Sequence, residues 1–178
     1  ITLLIIISFY LISCNNTKQD MGVNFSANEF GLDLNKLNKY QVMAILKNKG
    51  IPYKAYNPYS DANEEQFKNL MIDSTYFIGN ILYPNKIRKV TYDFVNMDGM
   101  GNEIVITYNR DCYDDFVGAL VRKYGAYKNK YKNEYGSAIE WEASPSSNSS
   151  LERIIISKEI NNQDIFTFTL RGKDIHSI

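Results

Sequence analysis

The residues that could carry chemistry are few in this 178-residue chain, and their spacing narrows what that chemistry could be. The one histidine, His176, stands close to the last residue given, where a chain is expected to fray. A nucleophilic triad needs a histidine held beside its nucleophile, and zinc sites gather several His or Cys ligands, so neither chemistry has material here. Glu140 and Glu142 flank Trp141, and a strand would point both carboxylates to one face. Glycoside hydrolysis uses two convergent carboxylates about 5–10 Å apart in a cleft, whereas a solvated strand face is the commoner setting for such a pair. Asn96, Asp98, Asn102 and Glu103 offer oxygen ligands for Ca²⁺, but the EF-hand spacing is missing and Asp98-Gly99 is a turn pair. Cys112 is placed where a helix should begin, which lowers a thiol pKa, while Asp111, Asp114 and Asp115 push it back up. A packed, inert thiol is the expectation. No catalytic residue, metal site or cofactor is assigned.

Tyrosine is the unusual residue, with 14 copies. Tyr53, Tyr56 and Tyr59 follow one expected helix, and Tyr127, Tyr131 and Tyr135 follow another. Lys128, Lys130 and Lys132 alternate with Tyr127, Asn129 and Tyr131, as on the two sides of a strand. Two readings stand. The stretch is a recognition edge, since tyrosine gives large contact area at low entropy cost. Alternatively it is an edge strand whose lysines block aggregation while its tyrosines pack inward. Exposure of the six tyrosines on one shared surface would favour binding.

The elements that must position these residues are readable in part. Asn38 with Gln41 three residues on forms a capping-box pattern, and Leu37 with Val42 could form its hydrophobic staple. Leu37, Tyr40, Ala44 and Ile45 fall near one face of a helix over 39–49, with Val42 and Leu46 flanking it. Gly50 suits the position after the helix, and Pro52 prevents its resumption. Tyr53–Tyr56 reads as a short strand, and Ser60 could cap a short helix with Phe67, Leu70 and Met71 inward. Strand character begins at Thr75. Tyr83-Pro84-Asn85-Lys86 is a turn with proline second. Residues 87–95 alternate, with Val90, Tyr92 and Phe94 together, and 103–108 alternate with Ile104, Ile106 and Tyr108 together. Residues 96–102 make a hairpin loop. A helix over 112–124, capped by Asp111, aligns Tyr113, Phe116, Val117, Leu120 and Tyr124. Three strands follow near 138–142, 151–158 and 165–171. Residues 144–150 (SPSSNSS) read as a flexible loop and Asn161-Asn162 as a turn. ILKNKGIPYKAY (45–56) also aligns without gaps to LVRKYGAYKNKY (120–131), a faint internal echo. The expected fold class is α+β, with helices packed on one face of an antiparallel sheet, possibly as two helix-plus-strands units.

Charge excludes one class of partner. Lys plus Arg and Asp plus Glu balance at 20 each, and nucleic-acid binding rests on basic excess.

Residues 1–12 form an apolar run that ends in Leu11-Ile12-Ser13-Cys14. Twelve residues suit a signal-peptide h-region of about 7–15, and a spanning helix needs roughly 20. The run with its LISC end resembles a bacterial lipoprotein signal with its lipobox, truncated at its start. The resemblance implies cleavage before Cys14 and lipidation of its thiol and new amino terminus, and two or more acyl chains anchor stably. The expected organisation is a signal peptide over 1–13, a lipidated cysteine and polar tether over 14–30, and one domain over 31–178. Asn15 is not the aspartate that retains many such lipoproteins at the inner membrane, so the periplasmic face of the outer membrane is expected.

The segment Asn38-x-x-Gln41-Val42-x-x-Ile45-Leu46 with Gly50-x-Pro52 resembles the opening helix of small outer-membrane lipoproteins of the BamE/SmpA type. The element order is similar to the β-lactamase-inhibitor-protein-like fold. Such a resemblance implies a non-enzymatic protein-interaction module of the envelope. A periplasmic glycan- or lipid-binding domain using its tyrosines and Trp141 is the alternative.

Overall fold

The structure, a computed structural model, describes residues 22–57, 69–72, 77–94 and 103–173. Cys14, Tyr59, Asp98, His176, the 96–102 loop and the helix expected to start at Ser60 lie outside the described residues for all or most of their length.

Helix α1 spans Lys39–Asn48 and starts on the expected capping box. The Asn38 side chain accepts from the Gln41 amide at 3.0 Å, and the Gln41 side chain accepts from the Asn38 amide at 3.4 Å. At the other end the amides of Gly50 and Ile51 donate to the carbonyls of Lys47 and Leu46, a Schellman closure that Gly50 permits by its φ of 64°. The buried face is turned from the expected one. Val42 and Leu46 are fully buried, while Tyr40 and Ala44 are exposed.

Helix α2 spans Tyr113–Tyr124, within a residue of expectation. Phe116 and Leu120 are buried and Tyr113, Val117 and Tyr124 half-buried, as the spacing predicted. Asp111 does not cap it. The N-cap is Cys112, without a side-chain cap bond, after a 3₁₀ turn over Arg110–Cys112. Asp111 instead accepts from Lys86 at 2.6 Å.

The strands are β1 (Lys54–Tyr56), β2 (Asn69–Ile72), β3 (Ile87–Asp93), β4 (Glu103–Asn109), β5 (Asn129–Lys132), β6 (Gly136–Glu142), β7 (Leu151–Glu159) and β8 (Ile165–Gly172). Among the described residues they form one eight-stranded antiparallel sheet in the order β1-β2-β3-β4-β8-β7-β6-β5. The fold is α+β and mostly sheet. Each helix precedes a four-strand meander, and β4 joins β8 at the centre. The internal echo maps onto this order: Gly50 matches Gly125, and Lys54 matches Asn129, the first residues of β1 and β5. The buried helix positions fall one residue out of step with it: Val42 and Leu46 align with Val117 and Val121, whereas Phe116 and Leu120 are the buried residues of α2.

The core sits where the two meanders meet. Ile104 pairs with Leu170, Ile106 with Phe168 and Tyr108 with Phe166, all buried on one face. Phe116 of α2 lies on these rings, with centroids 4.8 Å from Tyr108, 5.4 Å from Phe166 and 5.0 Å from Phe168. The polar tips of the buried aromatics are satisfied. Tyr108 donates to the Leu82 carbonyl at 2.8 Å, Tyr92 accepts from the Ile78 amide at 3.1 Å, and Trp141 donates to the Gly125 carbonyl at 3.0 Å.

Four further expectations are corrected. Asn69–Ile72 is a strand where helix was expected, and 77–83 holds no strand. The serine-rich loop is packed, not loose: Ser147, Ser149 and Ser150 are buried. The described part of the segment expected to be tether, residues 22–30, contributes to the packed fold. Phe25, Glu29 and Phe30 are buried, and Val23 bridges Ala143. Serine hydroxyls hold this segment, Ser147 donating to the Phe25 carbonyl at 3.1 Å and Ser150 accepting from the Leu34 amide at 3.0 Å. Among the described residues no helix is long and apolar enough to cross a membrane.

Candidate interaction surface

Among the described residues β5 pairs only with β6, which leaves its other edge unpaired by them. The β5–β6 turn is set by Asn133, whose side chain accepts from the amides of Tyr135 at 2.9 Å and Gly136 at 3.0 Å. Gly136 is required by crowding, since a Cβ there would lie 2.1 Å from the Lys158 carbonyl oxygen. The Ile160 amide donates to the Tyr135 carbonyl at 2.9 Å and ties the turn to the end of β7.

This fixed hairpin displays apolar surface. Tyr131 is 53% exposed, Tyr135 71% and Ile160 51%. Tyr131 and Tyr135 line a shallow cleft of about 210 Å³ with Ala138 and Ser157. Lys130 and Lys132 stand exposed on the same strand. Both readings of the lysine–tyrosine stretch are therefore met in part: β5 is a lysine-bearing edge strand, yet Tyr131 does not pack inward. A hydrogen bond to Glu140 is the chief cause holding the Tyr131 phenol above its ordinary pKa.

Of the six tyrosines, the five described ones are not brought together. Tyr56 lies in β1 and Tyr53 just before it, both half-buried, at the opposite edge of the sheet from β5. Tyr127 is half-buried and edge-on to Trp141 at 5.9 Å. Tyr59 lies outside the described residues. Of the five described tyrosines in the expected surface, Tyr131 and Tyr135 are exposed together, with Ile160 beside them. The signal missed was Ile160 itself, an apolar residue directly before the Asn161-Asn162 turn.

Glu140 and Glu142 share a strand face as expected, but each is engaged by its own cation. Arg153 lies 3.3 Å from the buried Glu140, and Lys128 lies 2.5 Å from Glu142. Cys112 is buried, with its Sγ 3.3 Å from the Asn109 carbonyl, and burial followed by Asp111 raises its pKa. Glu103 pairs with Arg171 at 3.3 Å. Among the described residues no group of three or more His, Cys, Asp or Glu is placed to hold a metal.

A second polar centre lies in the segment expected to be tether. Glu29 is buried and accepts from Tyr124 at 2.6 Å, from the Ser26 amide at 3.0 Å and from the Ser26 hydroxyl at 2.9 Å, and it is ion-paired with Lys123. Burial pushes its carboxyl up, but these four bonds outweigh it and hold the pKa at about 2. Ser26-x-x-Glu29 is itself a capping-box pattern, the signal that could have found it. The carboxylate is fully engaged, so the centre binds the segment to α2.

Among the described residues the fold is α+β, and its sheet ends at one side in β5 with the exposed Tyr131. A scan against protein-family models matches none, and searches of curated proteins and of solved structures return no match.

Proposed function

We propose that this chain is a lipid-anchored, non-enzymatic interaction module of the cell envelope, held at the periplasmic face of the outer membrane. It docks another envelope protein on the β5–β6 hairpin. The observation that carries the reading is the exposure of Tyr131 and Tyr135 beside a strand edge that no described residue pairs. Exposed aromatics on a rigid element make interface anchors, and an open edge offers backbone groups for strand addition. In this reading both helices pack on one face of the sheet. The twice-repeated order of helix and four strands supports the likeness to the β-lactamase-inhibitor-protein-like fold.

The anchor is tested by labelled palmitate, which should enter the wild type and not Cys14→Ala. Equal labelling of both would end the lipoprotein reading. The docking edge is tested in the full chain with a photo-crosslinker at position 135. A discrete protein adduct is expected, reduced about thirtyfold or more in affinity by Tyr131→Ala, the scale of a hot-spot truncation. A crosslinker at Tyr40, equally exposed on α1, should give none. Equal adducts from the two positions would remove the proposed edge, and an adduct with glycan alone would favour the glycan-binding alternative.

A further inference from the structure

A group of cations gathers beside the start of α2, in a cleft that adjoins the docking surface and shares Ser137, Lys158 and Ile160 with it, while Arg110 and Tyr113 belong to the cleft's other side. Arg110, in the turn leading into α2, places its guanidinium carbon 5.0 Å from the centroid of the Tyr113 ring. Lys158 of β7 places its ammonium 4.0 Å from the same ring. Both side chains line one cleft of about 410 Å³, together with Ser137, Ile160 and Gln163. Lys130 of β5 is close enough to repel Lys158 as well. Acids are near as well: Glu159 lines the cleft, Asp114 attracts Lys158, and Asp111 and Asp164 adjoin Arg110 along the backbone. Yet none of the ion pairs among the described residues takes up Arg110, Lys130 or Lys158.

The cleft is built on fixed elements. Lys158 stands opposite Ser137 in the β6–β7 register, which the close approach at Gly136 locks. The Arg110 amide donates to the Asp164 carbonyl at 2.8 Å, which joins its turn to the β7–β8 turn that carries Gln163. Burial, and then Arg110, hold the Lys158 pKa below its ordinary value, so the like charges are felt. The Tyr113 ring face offsets part of that repulsion. An anion would remove the rest. A guanidinium fork and an ammonium on one cleft suit the tetrahedral oxygens of phosphate, with the Ser137 hydroxyl and Gln163 amide as uncharged donors.

We propose that the cleft between Arg110 and Lys158 is a binding site for a phosphate group. The group could be a lipid headgroup phosphate or a free phosphate anion, and the chemistry of recognition is shared. The site does not depend on docking at β5.

The test is amide-resolved NMR titration of the full chain in detergent micelles. Three additions are compared: sodium phosphate, short-chain phosphatidylglycerol and short-chain phosphatidylcholine, with sodium chloride at matched ionic strength as the screening control. Saturable shifts are expected at Arg110, Tyr113, Ser137 and Lys158 with phosphate or with phosphatidylglycerol, and not with chloride. Response to phosphate identifies a free anion as sufficient; response to phosphatidylglycerol alone identifies a headgroup. Arg110→Gln and Lys158→Gln should each weaken binding about tenfold or more, the scale of a lost charge-assisted bond. Arg110→Gln alters a half-exposed side chain, so it keeps the test decisive where Lys158→Gln loosens β7. The proposal is overturned if no phosphate-bearing addition gives saturable shifts in the cleft, or if the well-folded Arg110→Gln binds as the wild type does.

Discussion

Phe116→Ala is expected to lower the unfolding free energy by about 3–5 kcal/mol, the range for removing a buried aromatic ring. Phe116 is fully buried and lies within 6.1 Å of four ring centroids: Tyr83, Tyr108, Phe166 and Phe168. These neighbours cannot close the gap cheaply. Tyr108 and Phe166 are paired across β4 and β8, and the Tyr108 hydroxyl is tied to Leu82. A cavity therefore persists, and its cost adds to the lost transfer energy. Urea denaturation should show the midpoint falling with the slope unchanged. The reference is Val121→Ala on the exposed side of α2, expected to change stability by about 0.5 kcal/mol or less. A loss below about 1 kcal/mol for Phe116→Ala would mean that α2 does not rest on the β4–β8 rings.

The same helix shows why part of this fold is legible in the sequence. In α2 the polar residues Asp114, Asp115, Arg122 and Lys123 leave one apolar stripe, so the periodicity names Phe116 and Leu120 directly. β3 and β4 alternate cleanly for the same reason. In α1 apolar residues surround the helix, from Tyr40 through Leu46, and the pattern alone does not choose a face. Tertiary packing chose Val42 and Leu46. β2 fails differently: Asn69–Ile72 is too short for its period to separate strand from helix, and its pairing with β1 and β3 settles it.

The serine loop and the segment before α1 were misread through composition. Serine-rich and asparagine-rich stretches usually solvate themselves, but here their hydroxyls satisfy the backbone of a distant segment. Apolar Phe25, Phe30, Leu32 and Leu34 were the contrary sign. The tyrosines were misread through topology. Each follows a helix, which suggested one surface. Because each meander begins at the outer edge of the sheet, the first strands β1 and β5 end up farthest apart. Strand order is not written in local periodicity, so that separation was out of reach. The Arg110–Lys158 pair was hidden for the same reason, since a turn and a strand well apart in sequence meet only over Tyr113.

Acid should loosen the segment before α1 through Glu29. Its carboxyl has a pKa of about 2 in the fold against an ordinary value of 4.5. Burial opposes the charge, and the bonds from Lys123, Tyr124 and Ser26 override it. A carboxyl depressed by folding stabilises the fold fully above its unfolded pKa, and the stabilisation fades as pH falls through the folded value. The window here runs from about pH 4.5 down to about pH 2. The stabilisation at stake is about 2 kcal/mol, allowing for solvent screening on Lys123, which is 54% exposed. Glu29→Gln keeps the shape and removes the charge. At neutral pH it should cost about 2 kcal/mol, because it leaves Lys123 unpaired and Tyr124 with a weaker acceptor. Below about pH 2 it should cost little, since the wild-type carboxyl is then protonated too. Urea denaturation across this range should therefore give curves that diverge toward neutral pH and converge in acid. Parallel curves for wild type and Glu29→Gln would show that the carboxylate does not hold the segment in its charged form, and the strap over α2 would then rest on Phe25, Phe30 and the serine hydroxyls alone.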